Sequence, residues 1–196
     1  GEEYTLVAVA DYVLSVKPGN TVSNLSSTRA LADVTRKAGG EYFAAAVGEV
    51  NVVTQMKAVN AIIGGEGNGG VIFPESHYGR DSLVGIGLFL THLANKGIKA
   101  SELRASYPAY VISKNKIELS ADLNVDLILA TVAEKYKEEK VNTIDGVKID
   151  FPDRWVHLRK SNTEPIIRIY AEASSEAEAD TLAQQIIQVI TEIAKG

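Results

Sequence analysis

Residues 159–165 read Arg-Lys-Ser-Asn-Thr-Glu-Pro between two strand-like runs, and nearly every side chain there can hold a phosphate oxygen. Arg159 offers a planar fork of N–H donors, Ser161 and Thr163 offer hydroxyls, and Asn162 an amide. Arg168 follows one short run later. A phosphate presents several oxygens and about two negative charges, which one or two arginines and three neutral donors match. Glu164 does not suit direct contact, because like charges repel; its expected job is to orient Arg159 or Arg168, or to brace the turn. Pro165 stiffens the exit. The run is too short for a Walker loop and lacks its glycines. It also reads as a plain polar hairpin loop, in which Ser-Asn-Thr costs nothing in water.

A second polar stretch, Gly64-Gly-Glu-Gly-Asn-Gly-Gly70, suits a polyhydroxylated ligand. Its glycines permit crowded backbone and leave Glu66 and Asn68 exposed, so that a carboxylate accepts from two neighbouring hydroxyls beside an amide. A dinucleotide fits poorly, because the acidic residue would face the pyrophosphate. A flexible surface loop is the other reading. His77, Tyr78, Arg80 and Asp81 make a third cluster, either a helix cap with a local ion pair or neighbours of a site. His157 shares a strand face with Arg159, so it either lines a site or is solvated; His92 reads as a packed or surface residue within a helix. These histidines lack metal-ligand spacing, and Asp145, Asp150 and Asp153 are spread over hairpin strands rather than gathered in one loop. The chain is equipped to grip a phosphosugar, not to transform it.

The bulk composition agrees with a globular protein. Hydrophobic residues are 45% of 196, and a net charge of -5 offers no polyanion surface, which argues against a nucleic-acid partner. Without cysteine there is no disulfide or thiolate chemistry. No targeting pattern and no apolar run of membrane length are present, so a cytoplasmic protein with no membrane partner is expected. The chain opens on Gly-Glu-Glu rather than Met, which fits a cloning remnant or a cut inside a longer protein.

Periodicity supplies the elements that must position these residues. A helix is favoured from Glu3 to Val16, whose valines would also suit a strand, followed by a short strand over 21–25 and a helix capped by Ser26 and Ser27. A strand over 41–47, a helix over 50–60, and short strands at 61–63 and 71–73 flanking the glycine stretch come next. Asp81 is the expected N-cap of a helix over 82–95 that ends before Gly97. Alternation over residues 1–102 indicates an α/β layer domain. From 103 to 196 the order changes to strand (107–117), helix (123–139), strands at 141–144, 147–151, 155–159 and 166–173, and a helix over 176–193. Asp145-Gly146 signals a two-residue hairpin. The second domain is therefore α+β, an antiparallel sheet with both helices on one face.

With these elements in place, Gly65-Glu66-Gly67-Asn68-Gly69-Gly70 resembles the sugar-binding loop of the α-D-phosphohexomutases, and Arg159 to Pro165 resembles their C-terminal phosphate-binding loop. The Ser26-Ser27 turn and Gly79-Arg80-Asp81 add to the likeness, which covers essentially the whole chain. Many relatives have serine and histidine where this loop has Asn68 and Gly70, a departure that leaves the hexose open among glucosamine, mannose and glucose.

The resemblance implies a three-layer α/β/α domain followed by a TATA-binding-protein-like α+β domain, the third and fourth of four. It implies that the phosphorylated serine and the magnesium-binding Asp-rich loop belong to the missing N-terminal domains, so that this stretch holds no catalytic residue and no metal. Glu66 and Asn68 would grip hexose hydroxyls; Arg159, Ser161, Asn162, Thr163 and Arg168 would bind the phosphate not being transferred. His77, Arg80 and His157 would be site neighbours. The parent would interconvert hexose 1- and 6-phosphates through a hexose 1,6-bisphosphate. A stand-alone phosphosugar-binding or regulatory module, and a structural protein with no small ligand, remain alternatives.

Overall fold

The computed structural model describes residues 1–118, 124–161 and 166–195. It divides into two compact units, Gly1–Ala109 and Tyr110–Gly196. The division falls beyond the 102/103 boundary expected from sequence, because the unforeseen helix Ala100–Ala105 ties Leu103, 2% exposed, to the first unit.

In the first unit α1 (Glu3–Val16) precedes β1 (Asn20–Asn24), α2 (Ala30–Lys37), β2 (Tyr42–Ala45), α3 (Glu49–Ala58), β3 (Ala61–Glu66) and β4 (Gly70–Ile72). Helices α4 (Ser82–Lys96) and α5 (Ala100–Ala105) complete it. The strand order is β2-β1-β3-β4, with β1 parallel to β2 and β3, and β4 antiparallel at the edge. Strand alternation sends Val22 and Ile72 towards Val52 and Met56 of α3, while Thr21 turns the other way, its hydroxyl 2.7 Å from that of Thr35 on α2. Helix α1 lies with α2 and α4 on that second face, giving three layers. Asp81 caps α4, accepting from the Val84 N–H at 3.0 Å, and Gly97 ends it in the left-handed region at φ 65. His92 on α4 is 2% exposed, 3.1 Å from Asp11 Oδ2, so the packed reading holds.

Ser26 and Ser27 do not cap α2. Asn24 Oδ1 accepts from the Ser26 N–H and the Ser27 hydroxyl, and Thr28 Oγ1 accepts from the Ala30 N–H at 3.3 Å. The serines are held back because the loop is tied to β1, which delays the helix to Ala30.

The second unit runs β5 (Val111–Glu118), α6 (Val125–Lys135), β6 (Lys140–Asn142), β7 (Val147–Asp150), β8 (Trp155–Lys160), β9 (Ile166–Ala173) and α7 (Glu176–Lys195). Its five strands are antiparallel in the order β5-β9-β8-β7-β6. Val147, Ile149, Val156, Leu158, Ile167 and Ile169 point to one face, where Ile128, Leu129 and Val132 of α6 and Leu182, Ile186 and Ile190 of α7 bury them. The β6–β7 connection takes residues 143–146 rather than two residues. Asn142 Oδ1 accepts from the Ile144 N–H and folds the chain before Asp145-Gly146 is reached. Among the described residues no helix is long and apolar enough to cross a membrane.

Candidate functional site

Most of the glycine stretch is not a loop. Gly64, Gly65 and Glu66 finish β3 and pair with Ile72, Val71 and Gly70 in an antiparallel hairpin. A Cβ on Gly65 would lie 1.9 Å from the Gly70 carbonyl oxygen, so only glycine allows the two strands to approach. Gly69 turns the tip with φ 87, in the left-handed region. The tip is fastened to the β1–α2 loop, since the Gly67 N–H donates to Ser27 Oγ at 2.9 Å. Asn68 Oδ1 accepts from the Gly70 N–H at 3.1 Å, while the residue stays exposed.

Glu66 is 5% exposed. Its Oε1 accepts from Asn24 Nδ2 at 2.9 Å and from the Gly48 N–H at 3.2 Å, and its Oε2 lies 3.4 Å from Arg80 Nη1. Arg80 also donates to Glu49, from Nε at 2.8 Å and from its backbone N–H at 3.1 Å. Those two hydrogen bonds hold the Glu49 carboxyl below the usual carboxylate range. Asp81 is likewise held low, first by the Val84 N–H and then by His77, whose Nε2 is 3.0 Å from Asp81 Oδ2. A cleft of about 480 Å³ opens among Glu49, Asn68, Gly69, Gly70, Arg80 and Asp81, within the size range of small-ligand sites.

The structure thus brings Asn68 and Arg80 to one cleft and sets Glu66 beneath it, its carboxylate already engaged. His77 touches the cleft lining at Asp81. Glu49 and Asn24 escaped the sequence reading. Glu49 meets Arg80 across thirty-one positions, a pairing that no local spacing signals.

In the second unit the register places Arg159 directly opposite Arg168, so both side chains leave the same face of the sheet. The Ser161 N–H donates to the Ile166 carbonyl at 3.0 Å and brings Ser161 to the next rung of that face. Arg159 Nε lies 3.1 Å from Asp145 Oδ1 and 3.0 Å from Oδ2, so the guanidinium is oriented by Asp145, a residue read from sequence as a turn former and as one of three scattered carboxylates. The expectations for Asn162, Thr163, Glu164 and Pro165 fall outside the described residues.

His157 is not solvated. It is 2% exposed, and burial, ahead of the nearby Lys148 and Arg159 charges, pulls its pKa down to about 4. A neutral imidazole facing a carbonyl must carry its proton on the facing nitrogen, so Nε2 donates to Asp145 O at 2.7 Å. His157 therefore anchors the backbone of the residue that orients Arg159. Among the described residues no group of three or more His, Cys, Asp or Glu could hold a metal ion.

The two units have counterparts in known proteins. Residues 2–110 match the family model described as phosphoglucomutase/phosphomannomutase, alpha/beta/alpha domain III, and residues 114–189 match that of the C-terminal domain of the same family. A phosphoglucomutase/phosphomannomutase of Thermococcus kodakarensis is 38% identical over 195 residues, covering 98% of this chain and 42% of that protein. A phosphoglucosamine/phosphogalactosamine mutase of Sulfurisphaera tokodaii is 39% identical over 146 residues, 74% of this chain and 32% of its own length. A crystal structure of a phosphoglucomutase/phosphomannomutase family protein from Burkholderia thailandensis superposes with a TM-score of 0.79 at 28% identity, covering 98% of this chain and 42% of that one. The chain spans less than half the length of these relatives. With both family models matched in order along nearly all of its length, the chain belongs to the phosphoglucomutase/phosphomannomutase family, as its third and C-terminal domains.

Proposed function

We propose that this chain supplies the sugar grip and the resting-phosphate cradle of a longer phosphohexomutase, which interconverts hexose 1- and 6-phosphates through a hexose 1,6-bisphosphate. Arg159, Ser161 and Arg168, with Asn162 and Thr163 beside them in sequence, bind the phosphate that is not being transferred. Glu66 and Asn68 receive the hexose hydroxyls. For Glu66 this requires that hydroxyls replace its 3.4 Å contact with Arg80, the longest of its three polar contacts. His77 and Arg80 hold the acidic rim of the cleft, and His157 supports the Asp145 anchor.

The observation that carries this reading is the directly opposed pair Arg159–Arg168, with Arg159 aimed by Asp145 and Ser161 one rung away. Two guanidinium groups on one sheet face repel each other, and a dianion between them turns that repulsion into attraction while taking up the donors of both.

Transfer itself needs a nucleophile and a cation, which the family resemblance assigns to the N-terminal domains. Magnesium, the phosphosugar and those domains are then the partners of this stretch. No carboxylate cluster among the described residues fits a divalent ion, so no step is assigned to a metal here. By itself the chain binds hexose bisphosphate without turning it over, and it does so in the cytoplasm.

Calorimetric titration of the chain with glucose 1,6-bisphosphate tests the reading. Saturable one-to-one binding, weakened at least about tenfold in Arg159→Ala by loss of a charge-assisted pair, is the expected result. Absence of any saturable, Arg159-dependent heat would overturn it.

A further inference from the structure

One cation of the second unit has no place in the site described so far. Lys116 on β5 stands directly opposite Arg168, just as Arg168 stands directly opposite Arg159. The three positive residues form one row across three neighbouring strands and leave the same face of the sheet. The next rung carries Glu118, Ile166 and Ser161, so the row runs beside the end of the sheet where the Ser161 hydroxyl sits.

Like charges set directly opposite one another destabilise a sheet. Among the described residues two carboxylates relieve this row, and unequally. Asp145 holds Arg159 at 3.0 Å with both side chains largely covered, whereas Glu118 reaches Lys116 only at 3.4 Å with the two side chains 76% and 61% exposed. An exposed lysine–glutamate contact of that length contributes little, so it leaves the Lys116 charge available to an anion.

We propose that Lys116 is a third cation of the phosphate cradle, closing it from the side opposite Arg159. The inference rests on the reading of Arg159 and Arg168 given under the proposed function and adds a binding residue to it. An ammonium on a flexible stem is a point charge without a preferred approach, whereas each guanidinium imposes a planar fork. A cradle that must accept a phosphate from either end of a hexose gains from one partner able to follow the anion. When the anion arrives, Lys116 exchanges Glu118 for it.

The test titrates the whole chain with glucose 1,6-bisphosphate, and separately with inorganic phosphate, at low and at moderate salt. Lys116→Ala is expected to weaken bisphosphate binding about fivefold to tenfold and to flatten its salt dependence, as loss of one weakly paired surface charge near the anion requires. Lys116→Arg should retain most of the affinity, and Lys137→Ala, a distant exposed lysine, should change nothing. Circular dichroism checks the fold, with Lys116→Gln standing in if the alanine variant does not fold. Tight binding that Arg159→Ala weakens but neither Lys116→Ala nor Lys116→Gln affects would overturn the role of Lys116 and leave the cradle intact. If the parent chain binds neither ligand, the cradle itself is wrong and this inference falls with it.

Discussion

Asp145 works from both its ends: the carboxylate faces the Arg159 guanidinium, and the main-chain oxygen accepts from His157. The arginine is therefore aimed by a residue whose main chain His157 holds in place. The histidine pKa of about 4 in the folded chain lies below its ordinary value of 6.5. Above pH 6.5 neither the folded nor the unfolded state binds the proton. Between 6.5 and 4 the unfolded state takes it up and the folded state does not, so this contribution to stability is lost as pH falls through that window. The shift corresponds to ~3 kcal/mol. Urea unfolding at pH 7, 5.5 and 4.5 should show that decline, and His157→Gln should flatten it; an unchanged slope would refute the assignment. The arginine was legible in the sequence because its type and its polar neighbours advertise anion binding. Asp145 was not, since the register of β8 against β7, rather than any motif, carries Arg159 to a turn fourteen residues away.

At the level of elements, the β3–β4 hairpin shows how glycine can conceal a strand. Propensity argues against strand at Gly64 and Gly65, yet both lie in the ladder, because a ladder is made of backbone bonds and here needs backbone contact closer than any Cβ permits. Gly65→Ala places a carbon 1.9 Å from the Gly70 oxygen. Rigid main chain cannot yield as a side-chain tip would, so a loss of about 2–3 kcal/mol is expected from overpacking. A fall in the urea midpoint with an unchanged m-value measures it, and stability within error of the parent would show that the hairpin opens freely. The helices were easier to read. Asp81 and Gly97 marked the ends of α4 through chemistry local to the chain, whereas the start of α2 shifted because Asn24 and Gly67 engage the serines that would have capped it.

Over the whole molecule, each unit buries an apolar cluster of its own, and that of the second joins five strands to two helices. A stretch with its own core should fold alone. Residues 110–196 expressed separately are expected to give a mixed α/β circular dichroism spectrum and a sigmoidal urea transition; a non-cooperative melt would show that the second core depends on the first unit. The order of strands and helices foretold these two architectures. The boundary between them did not emerge, because α5 has too short an apolar pattern to stand out; the burial of Leu103 and Tyr107 and the Tyr107 hydroxyl bond to Asp11 assign that segment to the first unit.

The amino-acid order alone determined the two fold classes, the family likeness and the choice of side chains proposed here to meet phosphate and hydroxyls, because periodicity, caps and donor types are properties of neighbours along the chain. Tertiary structure alone decided that Glu66 is engaged by Asn24, Gly48 and Arg80, that His157 is buried and neutral, and that Lys116, Arg168 and Arg159 share one row. Those facts depend on strand register and on burial, and both arise only when segments far apart in sequence pack together.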